Sequence, residues 1–181
     1  MHPTLLLLFG MMAAWRLGSL AVSVRHEKAL RARGATEYGP GTSRLLALAH
    51  TLFFLGALVE GLWRRTQPTP WTAGGVVLSG LAAVALVLVW RELHGLWTVK
   101  LLIAPDHSLN QRALFRWVRH PNYFLNIVPE LLGVALTMGA WGVLVVGLPL
   151  YLLVLRARIV QEERVMRQHF PQYAPVSRRC P

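Results

Sequence analysis

Five apolar runs, separated by polar stretches of unequal length, outline this chain: residues 4–24, 45–63, 72–90, 123–138 and 141–155. The first three approach or reach the roughly 20 residues an α-helix needs to cross a hydrocarbon core about 30 Å thick. No basic segment precedes the first run, and Arg25 to Arg33 follow it directly, which argues for a retained anchor over a cleaved signal peptide. The second run ends at Arg64-Arg65, and the turn TQPTPW, with Pro68 and Pro70, leads straight into the third, so these two form an antiparallel pair. Only Gly139-Ala140 joins the last two, which therefore form a helical hairpin. Its arms are short against a minimum span of about 17 residues and are expected to cross together, kinked at Pro129 and Pro149.

Between the runs, residues 25–44 (RHEKALRARGATEYGPGTSR) read as an interfacial helix in the first half and as non-helical at Gly39-Pro40-Gly41. The tail, 156–181, is amphipathic at first and broken at Pro171 and Pro175. The expectation is an all-α integral membrane protein of five transmembrane helices, with three helices and the loop 25–44 in residues 1–90 and the hairpin with its polar flanks in 91–181.

Composition agrees, because 54% hydrophobic and 15% charged residues is too apolar for a water-soluble domain of 181 residues. A net charge of +11 raises nucleic acid as a partner, but its distribution points elsewhere. Lys and Arg number five in 25–44, five in 91–119 and six in the tail, against two at Arg64-Arg65 and Arg16 within the first run. The positive-inside rule then places the N-terminus outside and the first loop, the central polar segment and the tail in the cytoplasm. Anionic headgroups suffice as the partner of this charge. The single Cys180 excludes an internal disulfide, a thiolate metal site and a prenylation box.

This topology gathers the segment before Pro121, the start of the fourth helix and the end of the fifth on one side. Proline suits the first helical turn and disfavours helix in the residue before it, so Arg119 and His120 should be extended at the mouth of the fourth helix, whose free N–H groups favour an anion. A plain helix start at the membrane surface is the competing reading. In RARIVQEER, Arg158 and Glu162 are four apart and share a helix face, while Glu163, about 100° further round, points elsewhere. They are either a surface ion pair or a site in which Arg158 holds an anionic group and Glu162 a cation or hydroxyl. His94, His107 and His120 lack metal-ligand spacing such as HExxH, so no metal is expected. Asp106-His107 reads as a loop hydrogen bond before it reads as an acid-base dyad, and Ser108 has no nucleophile-elbow pattern around it. Arg16, Glu60 and Glu130 lie within spans and either pair with one another or line a path, as in a small transporter or channel.

The order H-x-L at His107 to Leu109, seven residues, then W-x-R-H-P-x-Y at Trp117 to Tyr123, an apolar hairpin and R-x-x-x-E-E at Arg158 to Glu163 resembles the isoprenylcysteine carboxyl methyltransferase family. The likeness covers roughly residues 90–181 and includes the closing stretch EERVMRQHFPQYAPVSRR. It implies an integral-membrane, S-adenosylmethionine-dependent O-methyltransferase core in 91–181 that releases S-adenosylhomocysteine. The implied cofactor pocket faces the cytoplasm and is lined by Lys100, His107, Leu109, Asn110, Phe115, His120, Pro121, Tyr123 and Glu162. Arg158 falls nearest the acceptor oxygen, with Arg119 and Glu163 beside it in the catalytic set. Gln111, Ala113 and Phe115 replace the family's usual Thr, Gly and Tyr, and Phe115 lacks a hydroxyl that would reach the cofactor. The segment RHEKALRARGATEYGPGTSRLLALAHTLFF is similar to a bacterial branch associated with methylating alkylpyrones and alkylresorcinols. The implied acceptor is therefore a polyketide-derived pyrone or phenolic lipid entering from the bilayer of a bacterial inner membrane. A prenylated cysteine is the alternative acceptor, and a transporter or non-catalytic scaffold the alternative of another class.

Overall fold

The computed structural model describes residues 1–93, 95–103 and 120–169. The chain is a mostly helical membrane protein. Helix α1 (Pro3–Ala32) opens with proline in its first turn, and the His2 ring accepts a hydrogen bond from the Thr4 N–H at 3.3 Å. It runs without a break from the apolar stretch into RHEKALRA, where Arg31 donates to Glu27 at 2.9 Å one turn back. The interfacial helix expected after the first span is thus the last turns of that span.

Strand β1 (Thr36–Tyr38) follows, then α2 (Pro40–Trp63), which starts inside the Gly-Pro-Gly sequence expected to be non-helical. The reason is local: Gly39 takes the left-handed conformation with φ 62°, and Pro40 supplies the first helical φ with no N–H to satisfy. Helix α3 (Pro70–Leu93) follows, packed on the hairpin's first arm rather than paired with α2 as expected, and strand β2 (Leu101–Ile103) pairs antiparallel with β1, Glu37 opposite Leu102. This small ladder adds two strands to a fold read from the sequence as wholly helical. Three residues per strand is too short to leave an alternating pattern.

The hairpin arms each begin with π-helix. Residues Asn122–Ile127 lead into α4 (Val128–Met138), and Val143–Gly147 lead into α5 (Leu148–His169). The Val128 N–H bonds the Tyr123 carbonyl and the Leu148 N–H bonds the Val143 carbonyl, five residues back, immediately before Pro129 and Pro149. A proline withholds its own donor and crowds the carbonyl four residues back, and a widened turn absorbs both defects. Gly139, in the left-handed conformation at φ 61°, ends α4 and turns the chain back.

Four helices among the described residues are long and apolar enough to cross a membrane: α1, α2, α3 and the continuous helix Val143–His169. The hairpin's first arm is not one of them, although five spans were expected. Its apolar residues face protein instead: Leu131, Val134, Ala135 and Met138 are buried, and α4 packs against α1, α2 and α3. The closest approach is to α3 through Gly75 and Gly133, where a Cβ on Gly133 would meet the Gly75 carbonyl at 2.7 Å and one on Gly75 the Gly133 carbonyl at 2.6 Å. Small residues let helix backbones approach this closely where no hydrophobic effect drives helices together.

Arg16 does not face lipid. Its guanidinium pairs with Glu130 at 3.2 Å and approaches His50 at 3.4 Å, and His50 lies 3.4 Å from the Tyr151 hydroxyl, joining α1, α2, α4 and α5. Glu60 takes a separate part at the opposite end from the site described next, accepting from the N–H groups of Gly142 and Val143 at 2.9 and 2.8 Å. A carboxylate at a free helix N-terminus satisfies donors that have no partner within the helix. Among the described residues Glu60 thus does not join the Arg16–Glu130 cluster.

Candidate functional site

At one end of the bundle, the end of α1, β1, the start of α2, the segment before β2, the start of the fourth helix and the end of α5 converge. Val99 N–H donates to Ser23 at 2.9 Å and the His26 ring meets the Trp97 carbonyl at 2.8 Å, anchoring the segment before β2 on α1. On this platform stands a continuous polar network. Arg158 is 2% exposed, and its guanidinium donates to Ser43 Oγ at 3.1 Å, to the Tyr123 hydroxyl at 3.4 Å and to the Val99 carbonyl at 3.4 Å. These partners are all neutral. The Tyr123 hydroxyl in turn donates to Glu162 at 2.7 Å.

His120 completes the network from the mouth of the fourth helix. One ring nitrogen lies 3.5 Å from Glu162 and the other 3.5 Å from Glu163, and the ring stacks on Tyr123 with centroids 5.7 Å apart. At that separation the contact with Glu163 is electrostatic and leaves the buried Nε2 without a hydrogen bond among the described residues. Burial disfavours the charged ring, but Glu162 and Glu163 outweigh it and raise the His120 pKa above its ordinary 6.5. The ring thus lies between two adjacent carboxylates that favour its charged form.

Of the residues singled out from the sequence, the structure brings His120, Pro121, Tyr123, Arg158, Glu162 and Glu163 to one corner. The hairpin turn is the cause: it returns the end of α5 beside the start of the fourth helix. Glu163 joins them, contrary to the expectation that it points away, because the imidazole presents a nitrogen to each of two neighbouring side chains; Glu163 also pairs with Arg167 at 2.8 Å. Lys100 does not join. Its ammonium is taken by Glu27 at 2.7 Å, with Glu37 at 3.9 Å, although its neighbour Val99 touches Arg158. His94, Asp106, His107, Ser108, Leu109, Asn110, Gln111, Ala113, Phe115, Arg119 and the tail beyond His169 lie outside the described residues. No group of three metal-ligating side chains occurs among the described residues. Sequence reasoning missed Ser43, whose place in GTSR at a helix start suggests a cap and nothing more.

The family described as the isoprenylcysteine carboxyl methyltransferase (ICMT) family matches residues 75–168, which contain every described member of this network except Ser43. The chain belongs to that family. It is thus related to membrane methyltransferases through α3, the hairpin and the basic-acidic end of α5. Two relatives extend the similarity to the N-terminal helices. An uncharacterized protein of Haemophilus influenzae is 44% identical over 164 residues, covering 91% of this chain and 95% of its own length. The uncharacterized protein YpbQ of Bacillus subtilis is 26% identical over 165 residues, covering 90% of this chain and 96% of its own. No solved structure matches. In this ICMT-family member, an acidic pair bound to one imidazole and a buried guanidinium with neutral partners stand on either side of the Tyr123 hydroxyl.

Proposed function

We propose that this chain is an S-adenosylmethionine-dependent O-methyltransferase acting on a lipophilic acceptor, foremost an alkylpyrone or phenolic lipid and alternatively a prenylated cysteine carboxylate. The observation that carries the reading is Arg158, a buried cation whose contacts are a hydroxyl, a phenol and a carbonyl. Glu162 acts on this charge only across the Tyr123 hydroxyl, and an anionic acceptor would give the buried guanidinium a direct partner. The residues present also fit the cofactor: Glu162 and Glu163 offer carboxylates to a sulfonium and an ammonium, and the buried His120 Nε2 has no hydrogen bond among the described residues.

When bound, the cofactor supplies an activated methyl group, which leaves sulfur as the acceptor oxygen bonds to it. The protein's share is alignment and exclusion of water. Arg158 holds the acceptor oxygen as an anion, Tyr123 fixes the distance between Arg158 and Glu162, and His120 keeps the two glutamates from separating. Because both ring nitrogens of His120 already face glutamates, the ring is poorly placed to take a proton from the acceptor. That favours acceptors already ionised, a 4-hydroxy-2-pyrone or a carboxylate, over a resorcinol, whose pKa near the roughly 10 of a phenol demands a base. In the same reading the hairpin's first arm also spans the bilayer, the N-terminus lies outside, and the site opens to the cytoplasm of a bacterial inner membrane.

Incubating purified protein with isotope-labelled S-adenosylmethionine and extracted lipids, then reading label by mass spectrometry, tests this. Labelled methyl on an acidic lipid, abolished in Arg158→Gln, is expected. Turnover that persists in Arg158→Gln, or label confined to water-soluble products, overturns it.

A further inference from the structure

We infer that the outward face of α5 is a docking site for one anionic phospholipid, held by Arg156 and Arg164. A groove of about 460 Å³ lies between the start of α2 and α5, with Leu153, Ala157 and Val160 along it and Thr42 and Gln161, hydrogen-bonded to each other, against α2. Arg156, Val160 and Arg164 recur every fourth residue and so share one stripe of the helix. The two arginines leave the helix about 12 Å apart along its axis, with apolar Val160 between them. Leu153 and Val160 are 63% and 52% exposed, which suits contact with acyl chains.

The other arginines of α5 are engaged. Arg158 points inward to Ser43 and Tyr123, and Arg167 is paired with Glu163 at 2.8 Å. Arg156 and Arg164 are exposed and have no ion-pair partner among the described residues. Glu163, the carboxylate lining the adjoining cavity, is committed to Arg167 and His120. The apolar run of this helix ends at Leu155, so Arg156 stands where hydrocarbon gives way to headgroups and Arg164 about two turns further out. Two cations without an ion-pair partner among the described residues, above an apolar groove at that depth, complement a phosphate carried on acyl chains. The groove also adjoins the site, since Thr42 precedes the Ser43 that holds Arg158.

The test is native mass spectrometry of the full chain released from bilayers of phosphatidylcholine with or without phosphatidylglycerol. Wild type is expected to retain one phosphatidylglycerol in preference to phosphatidylcholine. At roughly 1 kcal/mol, or about fivefold, per arginine near an anionic surface, Arg156→Gln with Arg164→Gln should lower that retention about thirtyfold. Arg25→Gln with Lys28→Gln, which removes two exposed cations at the same end but outside the groove, should leave retention unchanged, and the unfolding midpoint of each variant controls for folding. Undiminished retention in the groove variant, an equal loss in the control, or equal retention of both lipids by wild type overturns the inference.

Discussion

Tyr123 carries one hydroxyl between two charged neighbours, and that hydroxyl is the narrowest link in the site. It donates to Glu162 at 2.7 Å and accepts from Arg158 at 3.4 Å, so Tyr123→Phe leaves both without that partner while keeping the ring against His120. A buried polar group stripped of its partner costs about 1–3 kcal/mol, and kcat/KM for methyl transfer should fall roughly tenfold or more with the fold intact. His120 carries the pH dependence. Its pKa is raised on folding, so its contribution to stability is fully present below the ordinary value of 6.5 and is lost as pH rises through the raised value. The unfolding midpoint of His120→Gln should therefore trail wild type most at acidic pH and draw level as pH rises; a gap that widens with pH would contradict this. The adjacency of His120 to Glu162 was legible in the sequence because a two-residue hairpin turn leaves no alternative to neighbouring arms. Glu163 was misjudged because helical geometry places Cβ atoms and says nothing of where two long side chains converge on one ring.

Among the elements, α4 holds the bundle together from inside. Three helices place a second polar group seven residues from a first: Ser43 and His50, Tyr123 and Glu130, Arg158 and Tyr151. Seven residues is about 10 Å of helix, so the Arg16–Glu130–His50–Tyr151 cluster forms a layer of its own beneath the site. Arg16→Leu leaves Glu130 without its cation and should cost about 3–5 kcal/mol, whereas Arg16→Leu with Glu130→Leu should recover much of that loss; a double-mutant cycle in detergent measures it. Packing of α4 on α3 predicts that Gly133→Ala lowers the unfolding midpoint by several degrees, since its Cβ meets the Gly75 carbonyl at 2.7 Å, while Gly80→Ala, with open space around it, does not. The apolar runs of α1, α2 and α3 announced these helices, but the chain's own ends of α1 and α5 were hidden, because hydropathy falls at Arg25 and Arg156 while helix-favouring residues continue. The β1–β2 ladder was hidden for the opposite reason, being too short to show a period.

For the whole molecule, the asymmetry between its ends is the organising fact. One end is tied by backbone contacts and the Glu60 cap, as where the His2 N–H bonds the Thr66 carbonyl at 3.1 Å. The other gathers the cationic loop, the ladder and the polar network, so charge, which the sequence distributed by side, and chemistry coincide. Family membership rests on residues 75–168, and Ser43 shows that the N-terminal helices contribute to the site as well. The central claim is that the His120 corner and the Arg158–Glu162 ladder form one pocket for a sulfonium cofactor. Calorimetric titration of S-adenosylhomocysteine into the purified chain and its Glu162→Gln variant tests it most directly. The account predicts saturable one-to-one binding by wild type that weakens at least about tenfold in the variant, as for loss of one charge-assisted hydrogen bond; equal affinity in both proteins, or no binding by wild type, would contradict it.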